Sequence, residues 1–159
     1  MRPRSLKEAV ELILAGQEEE RIAIAEFLDT FYLHYGQFGL TPELQAMIDT
    51  EPPFTGRQPL DAYVGGIGEH LARRWGLLTI PAWTEDERRF LDTPFFPDDL
   101  QLMKPILLRD SPIGFRRRLI FTEFEPLRRG RFPVEARAFL YDHADAGLQC
   151  SAGTILPNE

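Results

Sequence analysis

The chain has 159 residues and a formal net charge of −7, from 25 acidic and 18 basic side chains. This length is typical of a single domain, and it allows a hydrophobic core to form without disulfides or metals. The lone cysteine, Cys150, excludes an internal disulfide framework and favours a reducing, cytoplasmic compartment. Because no apolar run approaches the roughly 20 residues that span a bilayer, no membrane contact is expected.

The first third of the chain carries the start and stop signals of three helices. A Ser-x-x-Glu capping box, a run of three acids and a Thr-Pro pair mark the three starts. Glycines mark the first two ends. Apolar residues recur at helical spacing between these signals. The predicted helices span residues 5–16, 18–36 and 41–48.

A loop over residues 51–56 precedes a longer predicted helix, from Pro59 to Gly76. Three glycines interrupt its interior: Gly65, Gly66 and Gly68. Each costs about 1 kcal/mol relative to alanine, so three of them require an explanation. The simplest is the close approach of a neighbouring helix. A phosphate-binding loop is disfavoured because no strand precedes the glycines and no Gly-Lys-Ser/Thr follows them.

The second half predicts short elements separated by prolines. These are a connector or strand over 77–81, a capped helix over 84–91, a helix from Asp98 or Asp99 towards Leu108, a Ser-Pro-initiated helix over 113–119, a strand or extended arm over 120–125 and a helix over 134–143. The predicted fold is mainly α, a single compact domain over residues 1–143. Its short helices meet at proline-rich corners, with at most one short strand pair. Residues 144–159 are predicted to be a flexible tail.

The segment Arg109–Arg131 stands out because it holds seven arginines and three acids in an otherwise acidic chain. It is interpreted as a solvated face, a nucleic-acid interface, or a surface for an acidic protein or for the chain's own acidic helices. The net charge disfavours nucleic acid, whereas interleaved arginine and aromatic residues are typical of protein interfaces. The predicted partner contacts are Arg116, Arg117, Arg118 and Phe121, with Arg128, Arg129 and Arg131 nearer the rim.

No catalytic, metal or cofactor signature accompanies this segment, so the chain is not predicted to be an enzyme. Arg137 and His143 do fit the loose Arg-x4–6-His pattern of HEPN-type ribonucleases, whose arginine and histidine act on the RNA phosphodiester. With three histidines and an arginine about every ten residues, roughly one such match is expected by chance. A HEPN-like ribonuclease is therefore the alternative, together with a nucleic-acid-binding regulator.

Three motifs resemble those of an uncharacterised bacterial family with the pattern PAW … RFLD-x-PWF … SPAxFRxRxIF. They are PAW at 81–83, RFLDTPFF at 89–96 and SPIGFRRRLIF at 111–121, with Phe95 where tryptophan is usual. The resemblance covers about residues 5–131. Such genes often lie beside genes for minimal nucleotidyltransferase-like proteins of the abortive-infection toxin type. The resemblance therefore implies that the chain is a non-enzymatic antitoxin or accessory partner of such a nucleotidyltransferase-like protein.

Overall fold

A computed structural model describes residues 2–96 and 101–133, and its regular structure there is helical. The α-helices are α1 (Leu6–Leu14), α2 (Glu20–Phe38), α3 (Pro42–Asp49), α4 (Gln58–Trp75), α5 (Lys104–Asp110) and α6 (Ile113–Arg116). Short 3-10 helices span Ala82–Glu85, Glu87–Arg89 and Gln101–Met103. The mainly α fold class is confirmed. The helix start at Asp98 or Asp99, the helix over 134–143 and the tail over 144–159 lie outside the described residues.

Two of the predicted helix caps form as expected. The Ser5 hydroxyl accepts a hydrogen bond from the Glu8 amide at 3.2 Å, and the Thr41 hydroxyl accepts one from the Leu44 amide at 3.1 Å. The carboxylate of Glu8 reaches back to the Arg4 amide at 2.7 Å, one residue earlier than a standard capping box requires. Local side-chain chemistry therefore fixes the starts of α1 and α3.

The predicted end of α2 was wrong. The helix continues through Gly36 to Phe38 and ends where Gly39 adopts a positive φ of 68°. Gly36 lies inside the helix with open space around it, so it provides no turn there. The residue that stops a helix is the one that takes the left-handed backbone conformation, and here that is the second glycine rather than the first.

The capped helix predicted over 84–91 was also wrong, since two 3-10 segments occupy this stretch. The Thr84 hydroxyl donates to the Pro81 carbonyl at 2.8 Å instead of capping a helix. The second segment is capped by Asp86, whose carboxylate accepts from the Arg88 amide at 2.9 Å. Side-chain bonds of this local kind compete with helix formation.

The helix predicted over 113–119 is only one turn long, ending at Arg116. Leu119 then adopts a φ of 58°, which breaks the helical path. Ser111 does not cap α6, because its hydroxyl bonds to the Leu107 carbonyl and accepts from the Thr122 amide at 2.8 Å. It therefore ties the end of α5 to the chain that follows α6.

No strand forms in residues 2–96 or 101–133, so the short strand pair that the sequence allowed is absent from the part of the chain that the structure describes. A single parallel bridge joins Phe95 to Ile120. The Phe95 amide donates to the Leu119 carbonyl at 2.8 Å, and the Phe121 amide donates to the Phe95 carbonyl at 2.9 Å. This bridge holds residues 119–121 beside Phe95.

Helix α4 lies at the centre and is buried along most of its length. It contacts α6 and the first two 3-10 segments, and Trp75 at its end contributes to an aromatic cluster with α2. In that cluster Trp75 lies 5.5 Å from Tyr32, 4.9 Å from Tyr35 and 5.0 Å from Phe132, measured between ring centroids. The Tyr32 hydroxyl donates to the Leu127 carbonyl at 2.8 Å. The arginine-rich segment is thus fastened to the core at its far end.

Candidate protein-binding surface

The glycines of α4 are explained by what lies against them. A Cβ on Gly66 would lie 2.6 Å from the Phe115 ring, and one on Gly68 would lie 2.7 Å from the Trp83 ring. On the facing helix, a Cβ on Gly114 would lie 3.1 Å from the His70 amide nitrogen. The predicted close approach is therefore real, but the neighbours are large side chains and one short helix. Glycine makes room here for aromatic rings to lie on the helix backbone.

Gly65 makes room for two buried arginines. A Cβ at this position would lie 2.9 Å from Arg118 Nε and 2.9 Å from Arg89 Cβ. Both arginine residues have no exposed surface. Arginine is rarely buried unless it is paired, so each of the two requires an account of its partners.

Arg118 forms a buried ion pair with Glu69 of α4. Its guanidinium donates to Glu69 Oε2 at 2.5 Å and to the carbonyls of Gly114 and Thr84. It also lies 4.6 Å from the ring centroid of Phe90. Glu69, like Arg118, is completely buried. The pair connects α4, α6 and the first 3-10 segment at a single point.

Glu69 accepts from two further arginines, Arg73 at 2.8 Å and Arg117 at 2.9 Å. Burial raises the pKa of Glu69, but the hydrogen bonds from Arg118 and Arg73, together with the surrounding positive charge, outweigh burial. The net effect is a pKa below its ordinary value. Burial lowers the pKa of Arg118, and its bond to Glu69 opposes that change. Glu69 is therefore ionised at neutral pH and binds three arginine side chains.

Arg89 is held differently, by one carbonyl, distant carboxylates and aromatic rings. It donates to the Pro52 carbonyl and lies 4.0 Å from Asp61 Oδ1. Its guanidinium is 3.9 Å from the Phe54 ring centroid and 5.2 Å from that of Trp83. Its Nε and Nη1 atoms have no hydrogen-bond partner within the described chain. Burial lowers the pKa of Arg89. Cation–π contacts replace part of the lost hydration.

Two other arginines that were predicted as partner contacts form ion pairs with carboxylates of this chain near the surface. Arg117 donates to Glu85 at 2.7 Å in addition to Glu69. Arg129 donates to both carboxylate oxygens of Asp29 on α2, at 3.1 Å and 2.9 Å. The idea that the segment faces the chain's own acidic helices therefore holds for Arg129, although its partner is Asp29 rather than the acids at 18–20.

The remaining predicted contacts divide between buried and exposed positions. Phe121 is buried, with its ring stacked on Phe96 at 5.3 Å between centroids. Arg116, Arg128 and Arg131 are exposed. Arg116 also donates to the Arg109 carbonyl at 2.6 Å, which orients its guanidinium along the surface. The structure thus brings Arg117 and Arg118 together at Glu69, pairs Arg129 with Asp29, and leaves the other three predicted arginines at the surface.

An exposed apolar stretch lies within residues 102–113, shortly before Arg116, and sequence reasoning missed it. We call it the α5 face. Its members and their exposed fractions are Leu102 at 96%, Ile106 at 40%, Leu108 at 48% and Ile113 at 50%. In α5 only Leu107 is buried. The cations Lys104, Arg109 and Arg116 are interspersed, with Asp110 as the one acid in the stretch 101–118. The sequence signal was the run Ile106-Leu107-Leu108, which was interpreted only as part of a helix towards Leu108.

Clustered exposed apolar side chains mark interaction sites more often than scattered ones do. The α5 face combines such a cluster with a positive charge, in a chain whose net charge is −7. It is therefore suited to bind a surface that is apolar at its centre and acidic at its edge.

Comparison of the chain with protein-family models, curated proteins and solved structures found no match. In residues 2–96 and 101–133, no group of three or more His, Cys, Asp or Glu side chains is placed to hold a metal ion. No helix within those ranges is long and apolar enough to cross a membrane. Arg137 and His143, the residues of the ribonuclease alternative, lie outside the described chain.

Proposed function

We propose that this chain is a non-enzymatic binding protein that docks a protein partner on the α5 face. The observation that carries the proposal is Leu102, which is 96% exposed and is followed by three further exposed aliphatic residues within twelve positions. Leaving these side chains in water forgoes the free energy that their burial in an interface would provide. The resemblance to the PAW … SPAxFRxRxIF family adds the expected partner, a nucleotidyltransferase-like protein that this chain restrains or assists as an antitoxin or accessory subunit.

The arrangement of charges supports a protein rather than a nucleic acid as the partner. Of the seven arginines in the segment, Arg118 is buried and Arg117 and Arg129 are committed to carboxylates. Neutralising a phosphate backbone requires several free cations along one track. The α5 face offers aliphatic residues between its cations, which fits the apolar core and polar rim of a protein interface.

The test measures binding between this chain and the nucleotidyltransferase-like protein encoded beside it, by isothermal titration calorimetry. We expect a measurable complex that weakens at least about tenfold in Leu102→Asp and in Ile106→Asp, since each places a charge in the apolar centre of the interface. Leu14→Asp is the matched control, because Leu14 is 48% exposed on α1, away from the α5 face. This control variant is expected to bind like the wild type.

Three results would argue against the proposal: no complex, equal binding by all variants, or equal weakening by the Leu14 control. The nucleic-acid alternative would be favoured if the chain bound a labelled RNA or DNA duplex instead of the protein, with an affinity that falls steeply as the salt concentration rises. RNA cleavage that His143→Ala abolishes would favour the ribonuclease alternative.

A further inference from the structure

A second apolar surface lies where α2 ends and where the chain leaves the carboxyl-terminal end of α4. We call it the Leu78 surface. Its members and exposed fractions are Leu78 at 90%, Phe38 at 65%, Leu40 at 56% and Ile80 at 38%. Leu40 and Leu78 line the same shallow cavity of about 130 Å³, together with Pro42 and Leu77. The two chain segments therefore meet at Leu40 and Leu78, and Phe38 and Ile80 each lie two positions along the chain from one of these leucines.

The Leu78 surface is held in place by the side chain of Gln45 on α3. The Gln45 amide donates to the Thr79 carbonyl at 3.1 Å and accepts from the Thr79 amide at 3.3 Å. The same amide nitrogen donates to Asp49 at 2.6 Å, which fixes its orientation. Because Thr79 is held on both sides, Leu78 and Ile80 are held outward. A surface that is already ordered loses little conformational entropy when it binds.

The composition of this surface identifies its partner. Neither stretch that forms it, residues 33–42 and residues 75–84, contains an Asp, Glu, Lys or Arg. Two copies of a chain with net charge −7 repel each other over most of their surfaces. Because these two stretches carry no charged side chain, two such copies can meet on them without burying an unpaired charge from either stretch. A strongly charged partner would find no complementary group there.

The area is also of the right order for two copies. With roughly 200 Å² for a fully exposed large apolar residue, the four exposed fractions amount to about 500 Å² per copy. A standard interface buries about 800 Å² per partner, and the polar neighbours Gln37, Thr41 and Thr79 supply a rim. We propose that the Leu78 surface is a self-association site through which two copies of this chain form a symmetric dimer, each presenting the same patch to the other.

The experiment is sedimentation velocity on the full chain, from low to high micromolar concentration. We expect the mass to rise from the 18.3 kDa monomer towards twice that value as the concentration increases. Leu78→Asp and Phe38→Ser are each expected to weaken the association at least about tenfold, because they place polar groups at the centre of the patch. The control is Leu102→Asp, the same replacement at a similarly exposed leucine on the α5 face.

In the dimer, the Leu78 and Ile80 amides are also expected to exchange hydrogen more slowly at high concentration. Two results would overturn the inference: a monomer at every concentration, or a dimer that Leu102→Asp dissociates while Leu78→Asp does not. Since Leu78 is almost fully exposed, its replacement leaves the fold intact, which a circular dichroism spectrum checks. The result is independent of whether the α5 face binds a nucleotidyltransferase-like protein.

Discussion

Replacing Glu69 with glutamine tests whether the buried ion pair holds the fold together. The substitution keeps the shape of the side chain but removes the one carboxylate that lies at hydrogen-bond distance from the Arg118 guanidinium within residues 2–96 and 101–133. A buried charge that loses its partner costs about 3–5 kcal/mol. For a chain of this length each kcal/mol lowers the melting temperature by about 2–4 °C, so the expected loss is on the order of 6–20 °C. Urea unfolding followed by far-UV circular dichroism at pH 7 measures the free energy directly.

The control is Glu11→Gln, which breaks an exposed ion pair with Lys7 at 3.7 Å and is expected to cost less than about 0.5 kcal/mol. Adding Arg118→Met to the Glu69→Gln variant is expected to recover part of the loss, since no unpaired charge then stays buried. If the free energy of unfolding of Glu69→Gln lies within about 1 kcal/mol of the wild-type value, the ion pair is not structurally important. This threshold is the net contribution of an ordinary hydrogen bond to stability.

The Glu69→Gln effect also depends on pH in a defined direction. Because the pKa of folded Glu69 lies below its ordinary value of 4.5, its contribution to stability is complete above pH 4.5. That contribution is lost as the pH falls and the carboxylate is protonated. The stability difference between the wild type and Glu69→Gln is therefore expected to narrow in acid, and a difference that grows below pH 4.5 would contradict this reasoning.

Three further predictions concern packing, a histidine and a tyrosine. Gly66→Ala is expected to cost about 1–3 kcal/mol because its Cβ would overlap the Phe115 ring, whereas Gly36→Ala, in open space within α2, is expected to stabilise by about 0.5–1 kcal/mol; urea unfolding of this pair checks both signs. Burial lowers the pKa of His70 from 6.5 to about 4. Stability should therefore fall as the pH is lowered from 6.5 towards 4, because the unfolded chain takes up a proton that the folded chain does not. His70→Gln should flatten this profile, and an unchanged slope would contradict the assignment. Tyr32→Phe removes a buried hydrogen bond and is expected to cost about 1–2 kcal/mol, which thermal unfolding measures.

Sequence reasoning succeeded where the deciding interaction is local. The starts of α1 and α3 depend on a hydroxyl and an amide three residues apart, and both were predicted from Ser5 and Thr41. The stop at Gly39 instead of Gly36 was missed because both glycines can adopt a positive φ. Only the packing of the surrounding helices decides which of the two does so.

The arginine segment was harder to interpret, because exposed and buried arginines look alike in a sequence. Arg116 and Arg118 are two positions apart, yet one is exposed and the other is buried against Glu69. The one available signal was indirect. The glycines in α4 predicted the close approach of a neighbouring helix, and one of the groups that lie against them is the Arg118 side chain. Nothing local to the arginines predicted a partner 49 residues away.

That distance along the chain has a consequence for synthesis. When the ribosome has released α4, Glu69 is already present, but Arg118 and Phe115 have not yet emerged. The groove formed by Gly65 and Gly66 then has nothing to fill it, and Glu69 has only its neighbour on the same helix, Arg73, as a charged partner among the groups described above. This side of α4 is therefore expected to stay hydrated until the later segment supplies the Arg118 guanidinium and the Phe115 ring. The packing of α4 is in that sense expected to depend on synthesis of the segment that carries Phe115 and Arg118, rather than on synthesis of α4 alone.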